Sequence, residues 1–344
     1  MGDISARWAL AWPAALAALT ILLAALIGLS TGVSGWWAFP AYLGGWAAMT
    51  FIAVMIWVFV EVARLLPSRA EQPLKIIMPR LGQVARAALL PAVIFPLFLG
   101  GYTWAKTSIA FSVGYGWERT WADWDSFIFG TDAWRWAHRL SPDLLAPAWT
   151  FYYAVVWTSV MALAGILIAV FASRRFAATY FTALMLSWLI GGIFMAYAIS
   201  AAGPVFAHLA DPELGNRFLP LKAELVRLLG PDDLVLKSQR YLEAGTAIKM
   251  AVKGGGVSAM PSMHIATATI LILAAWRTRW LMPALLFWAL TFFGSVYLGY
   301  HYAVDAPVAA LVAAICWAIA RRAYREPGRT VPAEPIGDAA LARL

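Results

Sequence analysis

Long apolar runs alternate with short polar stretches along the whole chain. About 20 apolar residues are needed to cross the hydrocarbon core as a helix, and about eight runs reach or approach that length. They lie at roughly 8–29, 37–63, 86–110, 147–172, 177–202, 262–276, 280–299 and 303–320. The sixth is short and the seventh follows at once. The pattern predicts an all-α integral membrane protein with about eight transmembrane helices. The first run follows Arg7 and is rich in Ala, as a secretory signal would be. It is too long for a typical signal core and no clear cleavage site closes it, so an uncleaved span is expected.

Two polar connections are longer than the rest, at 111–146 and 203–261. The first interleaves Trp117, Trp121, Trp124, Trp134 and Trp136 with charges, which predicts a helix lying in the membrane interface. Such a helix is either a brace at the membrane surface or a roof over a site, with Asp123 or Asp125 touching substrate. The second holds an amphipathic helix near 219–229, a Gly-Pro-Asp-Asp turn at 230–233 and a further helical stretch to Lys249, a small folded cap. No internal repeat is evident. Past Arg325, Pro327, Pro332 and Pro335 predict a disordered tail. The organisation expected is a pair of N-terminal spans with a basic loop at 1–84, a catalytic membrane domain at 85–325 and a tail at 326–344.

Composition agrees with a membrane protein and excludes a soluble domain of this size: 62% of the 344 residues are hydrophobic and 13% charged. Many of the 19 Trp flank the apolar runs, where an amphipathic ring suits the headgroup zone. The net charge of +8 comes from short clusters between spans, which fits orientation in a bilayer better than a nucleic-acid surface. With the N-terminus inside, Arg64, Arg69, Lys75, Arg80, Arg86, Arg174, Arg175, Arg277, Arg279 and the C-terminal Arg321, Arg322, Arg325 and Arg329 all face the cytoplasm. The expected location is a bacterial inner membrane, with both long connections on the extracytoplasmic face. All four histidines, His138, His208, His264 and His301, then share that face. The single cysteine, Cys316, excludes an intramolecular disulfide and a cysteine metal cage.

Two short blocks carry the candidate chemistry. Gly254, Gly255 and Gly256 precede Pro261-Ser262-Met263-His264, with Pro261 suited to a first helical turn. Helix N-termini bind anions through unpaired N–H groups, and the glycines allow a close backbone approach. Ser262 adds a hydroxyl. Read more plainly, the glycines are a hinge and His264 an interfacial polar group. In the second block His301 and Asp305 stand four apart, so one helical turn joins them and the carboxylate fixes the imidazole tautomer. Pro307 disfavours a regular helix through 303, so the contact is expected across a helix start. A buried structural ion pair and a metal site are the competing uses of such residues. The glycines and nearby basic residues suit an anionic substrate better than a cation. Candidates to neutralise its charge are Arg217, Lys222, Lys249, Lys253 and Lys106.

Together the blocks Pro261-Ser262-Met263-His264 and Tyr297-Leu298-Gly299-Tyr300-His301, completed by Asp305, resemble the type 2 phosphatidic acid phosphatase and vanadium haloperoxidase superfamily. Within it they look like the inositol phosphorylceramide synthase-like branch, as does Asp125-Ser126-Phe127-Ile128-Phe129-Gly130. The resemblance covers roughly 85–321 and implies a six-helix core built from the third to eighth spans, no metal or other cofactor, and phospholipid and lipid-alcohol substrates. It implies that His301 attacks phosphorus to form a phosphohistidine, that Asp305 orients it, and that His264 protonates the leaving group and then serves as base. Gly256, Ser262, Lys249, Lys253 and Arg217 are the residues expected to hold the phosphate. Two features depart from the phosphatase pattern: Ser295 stands where an Arg is expected, six residues before the last His, and the early Lys and Arg-Pro block has no recognisable counterpart. Fewer fixed cations suit a singly charged phosphodiester, which favours head-group transfer over phosphate release. A phosphatase uses the same residues. A transporter would use them as a proton relay, but such sites lie near the midplane of repeated halves.

Overall fold

The computed structural model describes residues 5–65, 73–252 and 254–325, and within them the secondary structure is helical apart from one isolated bridge between Ser34 and Met250. Thirteen helices position the site. Two form an N-terminal hairpin, α1 (Ala6–Thr31) and α2 (Ala38–Leu65). α3 (Pro73–Leu89) continues through a π turn at Leu90–Ile94 into α4 (Phe95–Thr107). Interfacial α5 (Glu118–Phe129) and α6 (Ala133–Leu140) follow. A second π turn, Tyr152–Val156, leads into α7 (Trp157–Phe171), and α8 (Arg174–Leu189) ends in a third, Ile190–Met195. The cap holds α9 (Pro212–Leu229) and α10 (Leu234–Ala247). The chain returns through α11 (Met263–Ala274), α12 (Leu281–Tyr297) and α13 (Asp305–Ala323).

Six stretches among the described residues are long and apolar enough to span a membrane: Arg7–Thr31, Ala38–Leu65, Lys75–Ser112, Asp143–Phe171, Arg174–Ala198 and Asp305–Ala323. Six of the about eight expected runs appear as such stretches, and the sixth and seventh appear as shorter apolar helices, α11 with 12 residues and α12 with 17. The sixth run loses length at both ends. Ser262 is its N-cap, and Arg277 takes a left-handed backbone at φ 64° just past its last turn. The third span starts well before residue 86, since Lys75, Arg80 and Gln83 dilute a stretch that is nonetheless helical.

α8 is the axis of the bundle. It packs against α1, α4, α7, α11 and α13, and it is far more buried than α1 or α2. Leu22, Leu26, Leu29, Phe51, Ile52 and Phe59 of the hairpin stay exposed, the arrangement of helices whose outer faces meet lipid rather than protein. The hairpin is nonetheless fixed to the bundle. Trp104 of α4 lies over Gly28 and Gly35, which have no Cβ to obstruct it, and its indole N–H donates to the Val33 carbonyl at 2.8 Å. Val205, Phe206, Leu214, Phe218, Leu221 and Leu225 of the cap share one apolar core with Trp121 and Trp134 of the interfacial helices and with Tyr297 and Tyr302. α9 begins earlier than the sequence pattern indicated because the Asp211 carboxylate caps it, accepting from Glu213 N–H at 2.7 Å.

Candidate active site

His301 lies in the seven-residue connection between α12 and α13. Gly299 turns the chain there at φ 72°, a backbone that disfavours any side chain, and the Ser295 carbonyl gathers the Tyr300 and His301 amides at 3.1 and 3.3 Å. The turn brings His301 Nδ1 to 2.9 Å from Asp305 Oδ2, at the first residue of α13. The contact is thus made across a helix start, as Pro307 implied. Both side chains are buried. Burial, reinforced by the nearby Lys106 ammonium, pushes the His301 imidazole well below its usual range and keeps it neutral. With Nδ1–H donating to the carboxylate, the Nε2 lone pair is left for chemistry.

His264 sits in the first turn of α11. Ser262 rather than Pro261 ends the preceding loop. Its oxygen accepts from Ile265 N–H at 3.4 Å and it is fully buried, so Pro261 precedes the cap instead of opening the helix. The His264 ring is 5.6 Å from the His301 ring, centroid to centroid. Its other faces meet Tyr153 at 4.6 Å and Trp157 at 4.2 Å. Tyr153 stacks in turn on Tyr300, the neighbour of His301. The π turn at Tyr152–Val156 carries Tyr153, and an extra residue in a helical turn is a common device for aiming a side chain at a site. Sequence reasoning missed both aromatics, because inside an apolar run an aromatic residue has no feature to separate it from core. Their Oη and Nε1 atoms, with Asp305 Oδ1, are buried polar atoms without a protein partner.

The expected phosphate-binding residues divide. Gly256 rests against the C-terminal end of α4, where a Cβ would come within 2.8 Å of the Thr107 nitrogen and 2.9 Å of the Lys106 carbonyl oxygen. Gly255 lies against the Lys106 side chain. Lys106 is accordingly the cation that the fold brings to the histidines, and no carboxylate is paired with it among the described residues. Lys249 is directed elsewhere, its ammonium over the Phe111 ring and 3.4 Å from the Thr31 carbonyl. Arg217 is taken up by Asp132 at 2.7 Å, Asp123 at 2.8 Å and the Ala122 carbonyl at 3.1 Å. Lys222 meets His208 and Glu243, and His138 is held by the Tyr297 carbonyl at 2.8 Å. Lys253 lies outside the described residues. Asp125 does not touch a substrate space as a roof would: it is buried and accepts backbone N–H groups. Ser295 is buried with its hydroxyl donating to the Phe292 carbonyl at 2.8 Å. Among the described residues no three His, Cys, Asp or Glu side chains are grouped to hold a metal ion.

The arrangement can therefore present a neutral, oriented imidazole to an electrophile, with a second imidazole 5.6 Å away between ring centres and one ammonium nearby. A family model described as PAP2 superfamily matches residues 128–319. No curated protein and no solved structure matches the chain.

Proposed function

The chain belongs to the PAP2 superfamily, whose members are metal-independent phosphatases and phosphotransferases acting on phosphate esters, and from that premise we propose that it is a lipid phosphotransferase. It moves a phospho-headgroup from a phospholipid to the hydroxyl of a second lipid, such as a ceramide or diacylglycerol, in the manner of the inositol phosphorylceramide synthase-like branch. His301 Nε2 attacks phosphorus, the bond from phosphorus to the leaving alkoxide breaks, and His264 gives that oxygen a proton. His264 then takes the proton of the acceptor hydroxyl, whose oxygen attacks phosphorus and releases the His301 nitrogen. Lys106 offsets charge on the non-bridging oxygens, with the backbone at Gly256 and Ser262 beside it.

The observation that carries this reading is the 2.9 Å contact of His301 with Asp305 beside the His264 ring. Ser295 favours a diester donor, since its buried hydroxyl is committed to a carbonyl and adds no positive charge. We further propose that the termini are cytoplasmic, that the site opens to the extracytoplasmic face of a bacterial inner membrane, and that 85–325 is the catalytic unit. Mass spectrometry of a mixed lipid extract incubated with purified protein tests the assignment: a phospholipid and a lipid alcohol should disappear together as a headgroup-bearing product and a diacylglycerol-type by-product form. Release of inorganic phosphate from phosphatidate without lipid-to-lipid transfer would replace transferase by phosphatase. Activity surviving in His301→Ala would remove the covalent route.

A further inference from the structure

Two buried carboxylates on α5 face the segment that carries His301. Glu118 and Asp125 are seven residues apart, which puts them two turns apart on one face of the helix. Both are nearly inaccessible, at 1% and 4% exposed. Tyr302 donates its hydroxyl to Glu118 at 2.6 Å, and Glu118 also accepts the amides of Ala202 and Gly203. Asp125 accepts Ala303 N–H at 2.8 Å and Val304 N–H at 3.3 Å through one oxygen, and Ala133 N–H at 3.2 Å through the other. Every partner is a donor and none is a Lys or Arg. Burying a carboxyl group without a countercharge is costly, and here the cost is offset by the amides and the phenol that converge on the two groups. The three residues after His301 are thus each held by α5, while His301 itself is held by Asp305.

We propose that Glu118 and Asp125 are positioning residues for the nucleophile: Glu118 anchors the Tyr302 side chain and Asp125 the backbone of Ala303 and Val304, so that the His301 imidazole meets Asp305 and points at the substrate. The proposal rests on the reading of His301 as nucleophile. α5 becomes a functional part of the site without touching substrate, and its opposite face, with Trp124, Phe127 and Ile128 exposed, is the face available to lipid. Among the described residues no α12 carbonyl accepts an amide of 302–304: Ser295 takes those of Tyr300 and His301, and Val296 that of Gly299.

The test uses the full-length protein in detergent with two readouts: the rate at which diethylpyrocarbonate modifies His301, read by mass spectrometry, and the affinity for vanadate, a mimic of pentacoordinate phosphorus. Asp125→Ala and Tyr302→Phe should each speed His301 modification and weaken vanadate by about tenfold, since small displacements of a reacting group have effects of this size. Asp125→Asn keeps an oxygen on Ala303 and Val304 but sets its NH2 against Ala133 N–H, so its effect should fall between those of wild type and Asp125→Ala. Asp232→Ala, a change at an exposed carboxylate of the cap, should alter neither. Tyr302→Phe retains the ring and carries the test if Asp125→Ala fails to fold. Folded variants that lose thermal stability yet keep wild-type modification rates and vanadate affinity would overturn the proposal. If wild type binds no vanadate while His301 modification responds as expected, the positioning stands and the phosphoryl-transfer reading fails.

Discussion

Asp305 presents one oxygen to His301 and leaves the other buried without a protein partner. An Asn there would keep the shape and remove the charge, so it would no longer select the tautomer with its proton on Nδ1. Asp305→Asn should therefore lower kcat by about 10³-fold or more with little change in KM, measured as lipid-to-lipid transfer in a purified preparation. This pair was legible in the sequence because its chemistry is local: two residues four apart at the start of an apolar run. Tyr153, Trp157 and Glu118 were not, and Asp125 was singled out only for contact with substrate, not for holding backbone amides. Carboxylates on an aromatic, mixed-charge helix look like a solvated face, and only tertiary packing turns two of them inward. Burial pushes the Glu118 carboxyl up to about 7 from an ordinary 4.5, against the lowering effect of its hydrogen bonds. The folded protein then keeps a proton that the unfolded chain surrenders near pH 4.5, so stability falls as pH rises from about 4.5 to about 7 and levels above that. The loss should be on the order of 3 kcal/mol. Thermal unfolding across pH 5 to 8 should show this slope as the difference between wild type and Glu118→Gln, because the opposite contribution of the buried, neutral histidines is common to both and cancels.

At the scale of elements, the hydropathy pattern found the helices, the sixth and seventh runs to within two residues at each end, but it started the third late. Length in a window of composition is not length of helix: a cap, a left-handed residue or a π turn ends or shifts a helix without changing mean apolarity. The glycine block shows the same limit. Three consecutive glycines signal freedom, yet at Gly256 the requirement is contact, because the loop lies directly on the backbone of α4. A methyl group there meets main-chain atoms, which cannot rotate away. Gly256→Ala should cost about 1–3 kcal/mol and displace the loop from Lys106. The expected readout is a lower thermal midpoint together with weaker vanadate binding. Gly254→Ala, where φ is 100° but nothing lies within 4 Å of a Cβ, should destabilise through the backbone alone.

Across the whole molecule, the matched family stretch begins at residue 128, yet part of the site comes from before it. Lys106 belongs to α4, and the loop leading to His264 is held by the N-terminal hairpin. Ser34 exchanges backbone hydrogen bonds with Lys249 and Ala251 at 3.1 and 2.9 Å. The Tyr42 hydroxyl accepts from Gly254 N–H at 3.0 Å and lies 3.0 Å from Thr103 Oγ1 on α4. One phenol thus ties the hairpin, the helix bearing Lys106 and the glycine loop together. Removing it leaves the ring in place but frees the Gly254 amide and the Thr103 hydroxyl of α4. Tyr42→Phe should lower global stability by only about 1 kcal/mol, the usual worth of a hydrogen bond. Its effect on transfer should be larger than that loss implies, a fall of about tenfold in kcat/KM, because the loop and the ammonium would no longer be held in one geometry. Steady-state transfer kinetics beside thermal unfolding of the same preparation separate the two effects. Equal activity in Tyr42→Phe and wild type would mean that the hairpin only packs against the bundle and that the glycine loop is positioned by α4 alone.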